Sequence, residues 1–153
     1  MVACGTADGA QQVTNLFTSL GEDAQYVSRI WVNVETNPES SCAWQATQAT
    51  NCDTLTKMVA AIKARGKTAG VFSNIYMWNS IIGVGNCLNL DPSTAIWYPH
   101  DDKLPNQYDF VPFGIWTAPS ATTLKQYKID SSDCGQSGNI NFLTSPLQEE
   151  TTY

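Results

Sequence analysis

The sequence predicts an α/β domain whose strands and helices alternate at first and whose last strands have few helices between them. Apolar residues recur with helical spacing in three early segments, and short β-branched or aromatic runs lie between these segments. Such alternation is typical of parallel sheets. A length of 153 residues suggests one domain. We assign residues 1–146 to that domain and the polar residues 147–153 to a loose tail.

The first predicted elements are a helix and a strand. Apolar side chains in Ala10–Leu20 recur at i, i+3, i+4 and i+7, which predicts an amphipathic helix, and Gly21 ends it. Ile30–Glu35 is short and rich in β-branched and aromatic residues, so we expect a strand. The turn-forming residues that follow this run close it.

A polar stretch and a second helix come next. Residues 39–53 are expected to form a loop or a broken helix, and Asp53 is the expected N-cap of a helix that stops at Gly66. Thr68–Ser73 then forms a predicted strand, and Tyr76–Ile82 forms a third short helix.

The last third of the chain has strand patterns only. Ala95–Tyr98 is a predicted strand, and the acidic, proline-containing residues 101–112 are a predicted loop. Leu124–Tyr127 and Ile140–Leu143 are the final predicted strands. A regular eight-fold barrel would continue to alternate, so this pattern indicates an irregular architecture.

Charge and composition exclude several classes of function. The net charge is −6 with only 8 Lys plus Arg, which disfavours nucleic-acid binding and a basic membrane-surface role. No apolar stretch approaches the length of a membrane span. The N-terminus is too polar for a signal peptide, so either a leader was removed upstream or the chain is not secreted as written. Few lysines and five cysteines favour an oxidising, extracellular or lysosomal compartment.

The cysteines predict disulfides rather than a metal site. There is no CxxC pair and His100 is the only histidine, so we expect no metal and no cofactor, and His100 has no expected catalytic role. Buried free thiols are the alternative. The sequence does not choose among the possible pairings. Our preferred pairing is Cys42–Cys52 and Cys87–Cys134, which leaves Cys4 unpaired.

Glu35 is the candidate acid because of its place at the end of a strand. Strand alternation puts Trp31, Asn33 and Glu35 on one face, opposite an entirely apolar face. The C-terminal ends of parallel barrel strands hold active sites. The alternative is a solvated acid at a junction between a strand and a loop.

Aromatic residues cluster near the ends of later strands and suit a carbohydrate groove. Sugar rings stack on aromatic faces, and their hydroxyls bind amides and carboxylates. Core packing is the alternative for any one of these residues. The clusters are Tyr76 with Trp78, Trp97 with Tyr98, and Trp116 with Tyr127.

Several motifs occur in an order that resembles the glycoside hydrolase family 25 lysozymes, particularly their eukaryotic branch in protists and nematodes. The resemblance covers residues 28–143. The motifs are Ile30–Glu35, Gly66–Ser73, Tyr76–Trp78, Ile96–His100, Asp109–Gly114, Lys125–Tyr127 and Gly138–Phe142.

The resemblance implies a fold and a reaction. The family has an irregular TIM-like (β/α) barrel and cleaves the β-1,4 bond between N-acetylmuramic acid and N-acetylglucosamine in peptidoglycan. Glu35 matches its general acid. Asn33 and Asn139 stand where the family has aspartates. Only 29 residues precede Ile30, so the family's first strands and their aspartate are expected to be missing.

These departures leave three hypotheses open. The first is a retaining muramidase of weakened or lost activity, whose glycan groove is lined by Trp31, Tyr76, Trp97, Tyr98, Tyr127 and Asn139. The second is a non-catalytic relative that binds carbohydrate or serves as a structural component. The third is a small secreted protein whose aromatic residues only fill the core. Missing strands would leave a barrel edge that another chain or a second copy could complete.

Overall fold

Three α-helices and a five-stranded sheet are seen in the structure, a computed structural model that describes residues 1, 3–37, 39–132 and 135–143. The predicted tail, 147–153, lies outside these ranges. The helices are α1 (Gly9–Leu20), α2 (Gln48–Ala64) and α3 (Ile75–Ile81). The strands are β1 (Arg29–Asn33), β2 (Thr68–Phe72), β3 (Ala95–Pro99), β4 (Leu124–Ser131) and β5 (Gly138–Leu143). Short 3₁₀ turns span Gly21–Tyr26 and Ser40–Cys42.

The sheet follows the order of the chain, β1-β2-β3-β4-β5. Strands β1 to β4 are parallel, and β5 pairs antiparallel with β4. Helices cross between the first three strands, whereas within the described residues no helix lies between β3 and β5. The predicted mixed α/β class and the late loss of helices are confirmed. Because β5 runs antiparallel, its first residues lie at the same end of the sheet as the C-terminal ends of the other strands.

Helix α1 forms as predicted. The Asp8 side chain caps it by accepting a hydrogen bond from the Gln11 amide at 2.9 Å. Val13 is fully buried. Gly21 follows the helix with a φ of +53°, a left-handed conformation that glycine adopts at little cost.

Helix α2 starts six residues earlier than the sequence predicted, with Thr47 instead of Asp53 as its N-cap. The polar residues from Gln48 onwards are helical because Asn51 is buried and its side-chain amide is hydrogen-bonded. Its amide nitrogen donates to the carbonyls of Gln45 (2.9 Å) and Ile81 (2.8 Å), and its oxygen accepts from the Gln45 amide. The predicted N-cap at Asp53 is therefore wrong, and that carboxylate instead pairs with the Lys57 ammonium at 2.7 Å.

The disulfide of the structure joins Cys52 to Cys87, so the preferred pairings of Cys42 with Cys52 and of Cys87 with Cys134 are wrong. The cause is the early start of α2. Cys52 lies within that helix, next to the segment that follows α3, and not in a loop. Cys134 lies outside the described residues.

The hydrophobic core lies between one face of the sheet and the helices. On β1, Ile30 and Val32 are buried while Trp31 and Asn33 are only half-buried, which matches the predicted alternation. Leu55, Met58, Val59 and Ile62 of α2 join the same core. Among the described helices, none has the length and hydropathy required to cross a membrane.

Candidate functional site

Aromatic side chains cover the sheet face that lies opposite the helices, and we call this surface the open face, defined by Trp31, Asn33, Phe72, Trp97 and Asn141. Alternation and strand register place these residues on one side. The Trp97 ring contacts the Trp31 ring (centroids 5.6 Å apart) and the Phe72 ring (4.8 Å) edge to face. The Trp97 indole nitrogen donates to Asn141 Oδ1 at 2.8 Å.

Gly70 allows the Trp31 ring to lie flat on the sheet. A Cβ at this glycine would stand 2.3 Å from two carbons of the indole. The aromatic platform therefore depends on a glycine in the neighbouring strand. Phe72 and Asn141 were missed as site residues, although the period-2 pattern of their strands could have found them.

Glu35 follows the C-terminal end of β1 and is half-buried. Its backbone is held from both sides. Its carbonyl oxygen accepts a hydrogen bond from the Trp44 indole at 3.0 Å, and the preceding carbonyl of Val34 accepts from the Ser73 hydroxyl at 2.8 Å. The candidate acid thus stands on a fixed backbone beside the aromatic platform.

Asn33 lies two residues before Glu35 and holds an unsatisfied polar atom. Its Oδ1 is buried and meets no hydrogen-bond donor among the described residues. An unpaired buried acceptor costs free energy, about 1–3 kcal/mol for a neutral group. A ligand that donated to this oxygen, once the side chain turned it towards the open face, would recover that free energy.

Asn139 is placed differently. It lies at the start of β5, and its Oδ1 accepts a hydrogen bond from the Asp130 amide at 3.1 Å. Strands β1 and β5 are the first and last of the sheet, so strand pairing does not bring Asn139 beside Asn33 or Glu35. Both ends nevertheless lie along the same rim of the sheet.

The predicted groove aromatics do not form one surface. Tyr98 follows Trp97 in β3 and therefore lies on the opposite sheet face, buried, with its ring 5.1 Å from that of Phe110. Tyr76 is 81% exposed and borders a separate cavity of about 150 Å³ that Tyr98 also lines. Tyr127 is half-buried in β4. The structure thus unites Trp31 and Trp97 but does not bring Tyr98 to the open face.

A buried ionic cluster lies on the Tyr98 side of the sheet, and the sequence did not predict it. Lys125 of β4 is wholly buried, and its ammonium donates to Asp102 at 2.6 Å and to Asp109 at 2.8 Å. The Asp109 carboxylate also hydrogen-bonds His100 Nδ1 and lies 3.3 Å from the Tyr98 hydroxyl. The signal available was Lys125 inside the predicted strand Leu124–Tyr127, which follows an acidic loop.

Charge in this cluster sets the ionisation of its members. Burial acts to raise the pKa values of Asp102 and Asp109, but the hydrogen bonds from Lys125 outweigh it and lower both below their usual range. Burial and the Asp109 carboxylate raise the pKa of Tyr98. His100, Asp102 and Asp109 stand close enough to share a metal ion. Because the Lys125 ammonium already supplies positive charge there, a cation is disfavoured, and the absence of a metal remains a prediction.

Comparisons with known proteins agree with this architecture. Lysozyme-like protein 5 of Caenorhabditis elegans is 28% identical over 138 residues, which cover 90% of this chain and 60% of that protein. Probable GH family 25 lysozyme 2 of Dictyostelium discoideum is 31% identical over 144 residues, 93% of this chain and 62% of its own length. The chain thus spans about three fifths of these relatives.

A solved structure and a family model complete the comparison. The structure of a muramidase from Trichobolus zukalii superposes with a TM-score of 0.67 at 15% identity, covering 92% of this chain and 63% of the muramidase. The family model described as lysozyme-like protein 1 matches residues 1–127. The chain therefore belongs to this lysozyme-like family, which confirms the resemblance indicated by its motifs.

Proposed function

We propose that this lysozyme-like domain binds a peptidoglycan-type glycan on its open face and cleaves its β-1,4 bonds weakly, with Glu35 as the general acid. The observation that carries the proposal is the buried, unpaired Oδ1 of Asn33 beside that acid and the aromatic platform. Trp31 and Trp97 offer ring faces and edges against which a sugar can pack.

The chemistry of the site follows from its residue types. Glu35, when protonated, donates a proton to the glycosidic oxygen as the bond breaks. The Asn33 Oδ1 has no donor among the described residues, so rotation of the side chain towards the open face lets it accept a hydrogen bond from a sugar hydroxyl or amide. An asparagine carries no negative charge, so it cannot stabilise the positive charge that develops on the sugar ring. The rate is therefore low compared with a site that has two carboxylates.

We also propose that the sheet is part of an irregular TIM-like barrel whose first strands are supplied from outside the described residues. The support lies at the outer edge of β1, where the backbone of Met1 already pairs with the strand. The Met1 backbone nitrogen donates to the Trp31 carbonyl at 2.8 Å, and the Asn33 amide donates to the Met1 carbonyl at 2.9 Å. This pattern is that of a parallel strand pair. Another chain or a second copy could complete the edge.

The proposed location is the extracellular space or a lysosomal or phagosomal compartment. The disulfide between Cys52 and Cys87 supports it, since disulfides persist where the environment is oxidising. These are also the compartments in which a secreted protein encounters bacterial cell-wall glycans. The tail 147–153 and the single-domain assignment of 1–146 remain predictions.

Replacement of Glu35 tests the catalytic half of the proposal. We expect wild-type protein to release reducing sugar from bacterial cell walls slowly, and Glu35→Gln to release none above a blank without protein. The amide keeps the shape but cannot donate a proton to the leaving oxygen. Equal rates for the two proteins would contradict the assignment of the acid.

A second candidate function is glycan binding without catalysis. It is favoured by Asn33 and Asn139, because neither side chain can carry the negative charge of an aspartate. The Asn139 oxygen also already accepts a hydrogen bond from the Asp130 amide. In this case the open face holds the sugar and no bond is broken. Absence of hydrolysis by both the wild-type protein and Glu35→Gln, together with retention of both proteins on the glycan, would select this function.

Removal of the Trp97 ring tests the open face as the binding surface. We expect Trp97→Ala to weaken binding to insoluble peptidoglycan about tenfold, because the ring organises Trp31 and Phe72 as well as contacting sugar. Depletion isotherms measure the affinity. Tyr26→Ala is the matched control, since Tyr26 is 80% exposed before the N-terminal end of β1. Equal losses in the two variants would refute the assignment.

A further inference from the structure

Two cysteines without a disulfide, Cys4 and Cys42, lie on adjacent segments that hold each other through their backbones. The Gly5 amide donates to the Cys42 carbonyl at 3.3 Å. The Thr6 hydroxyl donates to the Ser41 carbonyl at 2.6 Å, and the Cys4 sulfur lies 3.7 Å from the same oxygen. Residues Cys4–Thr6 of the N-terminal segment are thus joined to the 3₁₀ turn at Ser40–Cys42.

Gly5 shows how closely the two segments approach. A Cβ at this position would stand 2.4 Å from the Trp44 Cα and 2.7 Å from the Ala43 carbonyl oxygen. No side chain fits between the backbones at this point. The backbone contacts therefore hold the segments that carry Cys4 and Cys42 at a short, fixed separation.

The Cys4 sulfur lies 3.3 Å from the Thr6 hydroxyl oxygen, beside the segment that carries Cys42. The interaction with the Cys42 thiol lowers the pKa of Cys4, whereas the interaction with Cys4, followed by burial, raises the pKa of Cys42. Cys4 is thus the better candidate for the attacking thiolate. Both residues are partly exposed, so a small oxidant can reach them.

We propose that Cys4 and Cys42 form a second disulfide of the domain, made by exchange with a small-molecule disulfide such as oxidised glutathione. The Cys4 thiolate attacks one glutathione sulfur and releases glutathione thiolate, giving a mixed disulfide. Cys42, after losing its proton, attacks the Cys4 sulfur and releases the second glutathione. Two protein thiols are oxidised and one glutathione disulfide is reduced to two thiols.

The bridge would act on the candidate site through Trp44. This residue follows Cys42 by two positions, and its indole nitrogen holds the Glu35 carbonyl at 3.0 Å. A disulfide at Cys42 would fix the backbone that carries Trp44 to the N-terminal segment. The segment in turn is anchored to α1, since the Gln12 side chain accepts from the Cys4 amide at 2.8 Å and donates to its carbonyl at 2.7 Å.

Peptide mapping of the folded protein tests the proposal. The protein is incubated with oxidised glutathione, free thiols are capped with a maleimide, and a non-reducing digest is examined by mass spectrometry. We expect one peptide pair linked through Cys4 and Cys42 beside the Cys52–Cys87 pair. A maleimide or glutathione adduct on Cys4 or Cys42, or a link from either to Cys134, would overturn it.

Thermal unfolding gives a second, independent readout. The bridge closes a loop of nearly forty residues, so we expect oxidation to raise the melting temperature by about 8 °C. Cys4→Ser and Cys42→Ser are each expected to abolish this rise, and Cys134→Ser is expected to keep it. A rise that survives either of the first two variants would show that the stabilisation has another origin.

Discussion

Asn33→Asp is expected to raise the rate of cell-wall hydrolysis about 100-fold. The substitution changes an amide into a carboxylate with almost no change in shape, two residues before Glu35 on the same strand face. The new negative charge stabilises the positive charge that develops on the sugar.

The control for this gain is the same substitution without the acid. Asn33→Asp combined with Glu35→Gln is expected to remain at the level of the blank, because the added carboxylate has no proton donor to work with. Initial rates of reducing-sugar release, with circular dichroism to confirm folding, measure both variants. A folded Asn33→Asp protein that is no faster than wild type would reject the open face as a weakened hydrolase site.

The order of elements could be predicted from the sequence because each early segment has a clear period. Ile30–Glu35 alternates, and its buried and half-buried residues follow that alternation in the structure. The start of α2 could not be predicted in the same way. Asparagine is typical of loops, so the sequence offered no reason to place Asn51 inside a helix. Its buried hydrogen bonds to Gln45 and Ile81 explain why the first turn of α2 forms before Asp53.

The candidate site was predictable where it depends on one strand and not where it depends on distant ones. Glu35, Asn33 and Trp31 share a strand, so alternation alone grouped them. The Trp97 contact with Asn141 spans 44 residues and required the pairing of β3, β4 and β5. The predicted disulfide pairing was wrong for the same reason, since pairing depends on three-dimensional proximity that cysteine spacing does not show.

Lys125→Met is expected to lower the free energy of unfolding by about 3–5 kcal/mol. The ammonium is wholly buried and is shared by Asp102 and Asp109, so its loss leaves two partly buried carboxylates without their cation. Methionine fills a similar volume, which keeps the cavity term small. Urea unfolding at pH 7 measures the change. Lys57→Met is the matched control, because Lys57 pairs with Asp53 at the surface, and we expect no measurable change in the free energy of unfolding.

The pH dependence distinguishes lost charge pairing from lost packing at Lys125. Its hydrogen bonds hold the pKa values of Asp102 and Asp109 below their usual range, so the pairing stabilises the fold above about pH 4, the unfolded value, and this stabilisation is lost as the pH falls through the lower folded values. The deficit of Lys125→Met is therefore expected to shrink between pH 7 and pH 3. Adding Asp102→Asn and Asp109→Asn to Lys125→Met is expected to restore much of the stability at pH 7, because neutral amides replace the unpaired carboxylates. A deficit that is independent of pH and unchanged in the triple variant would mean that Lys125 acts through packing alone.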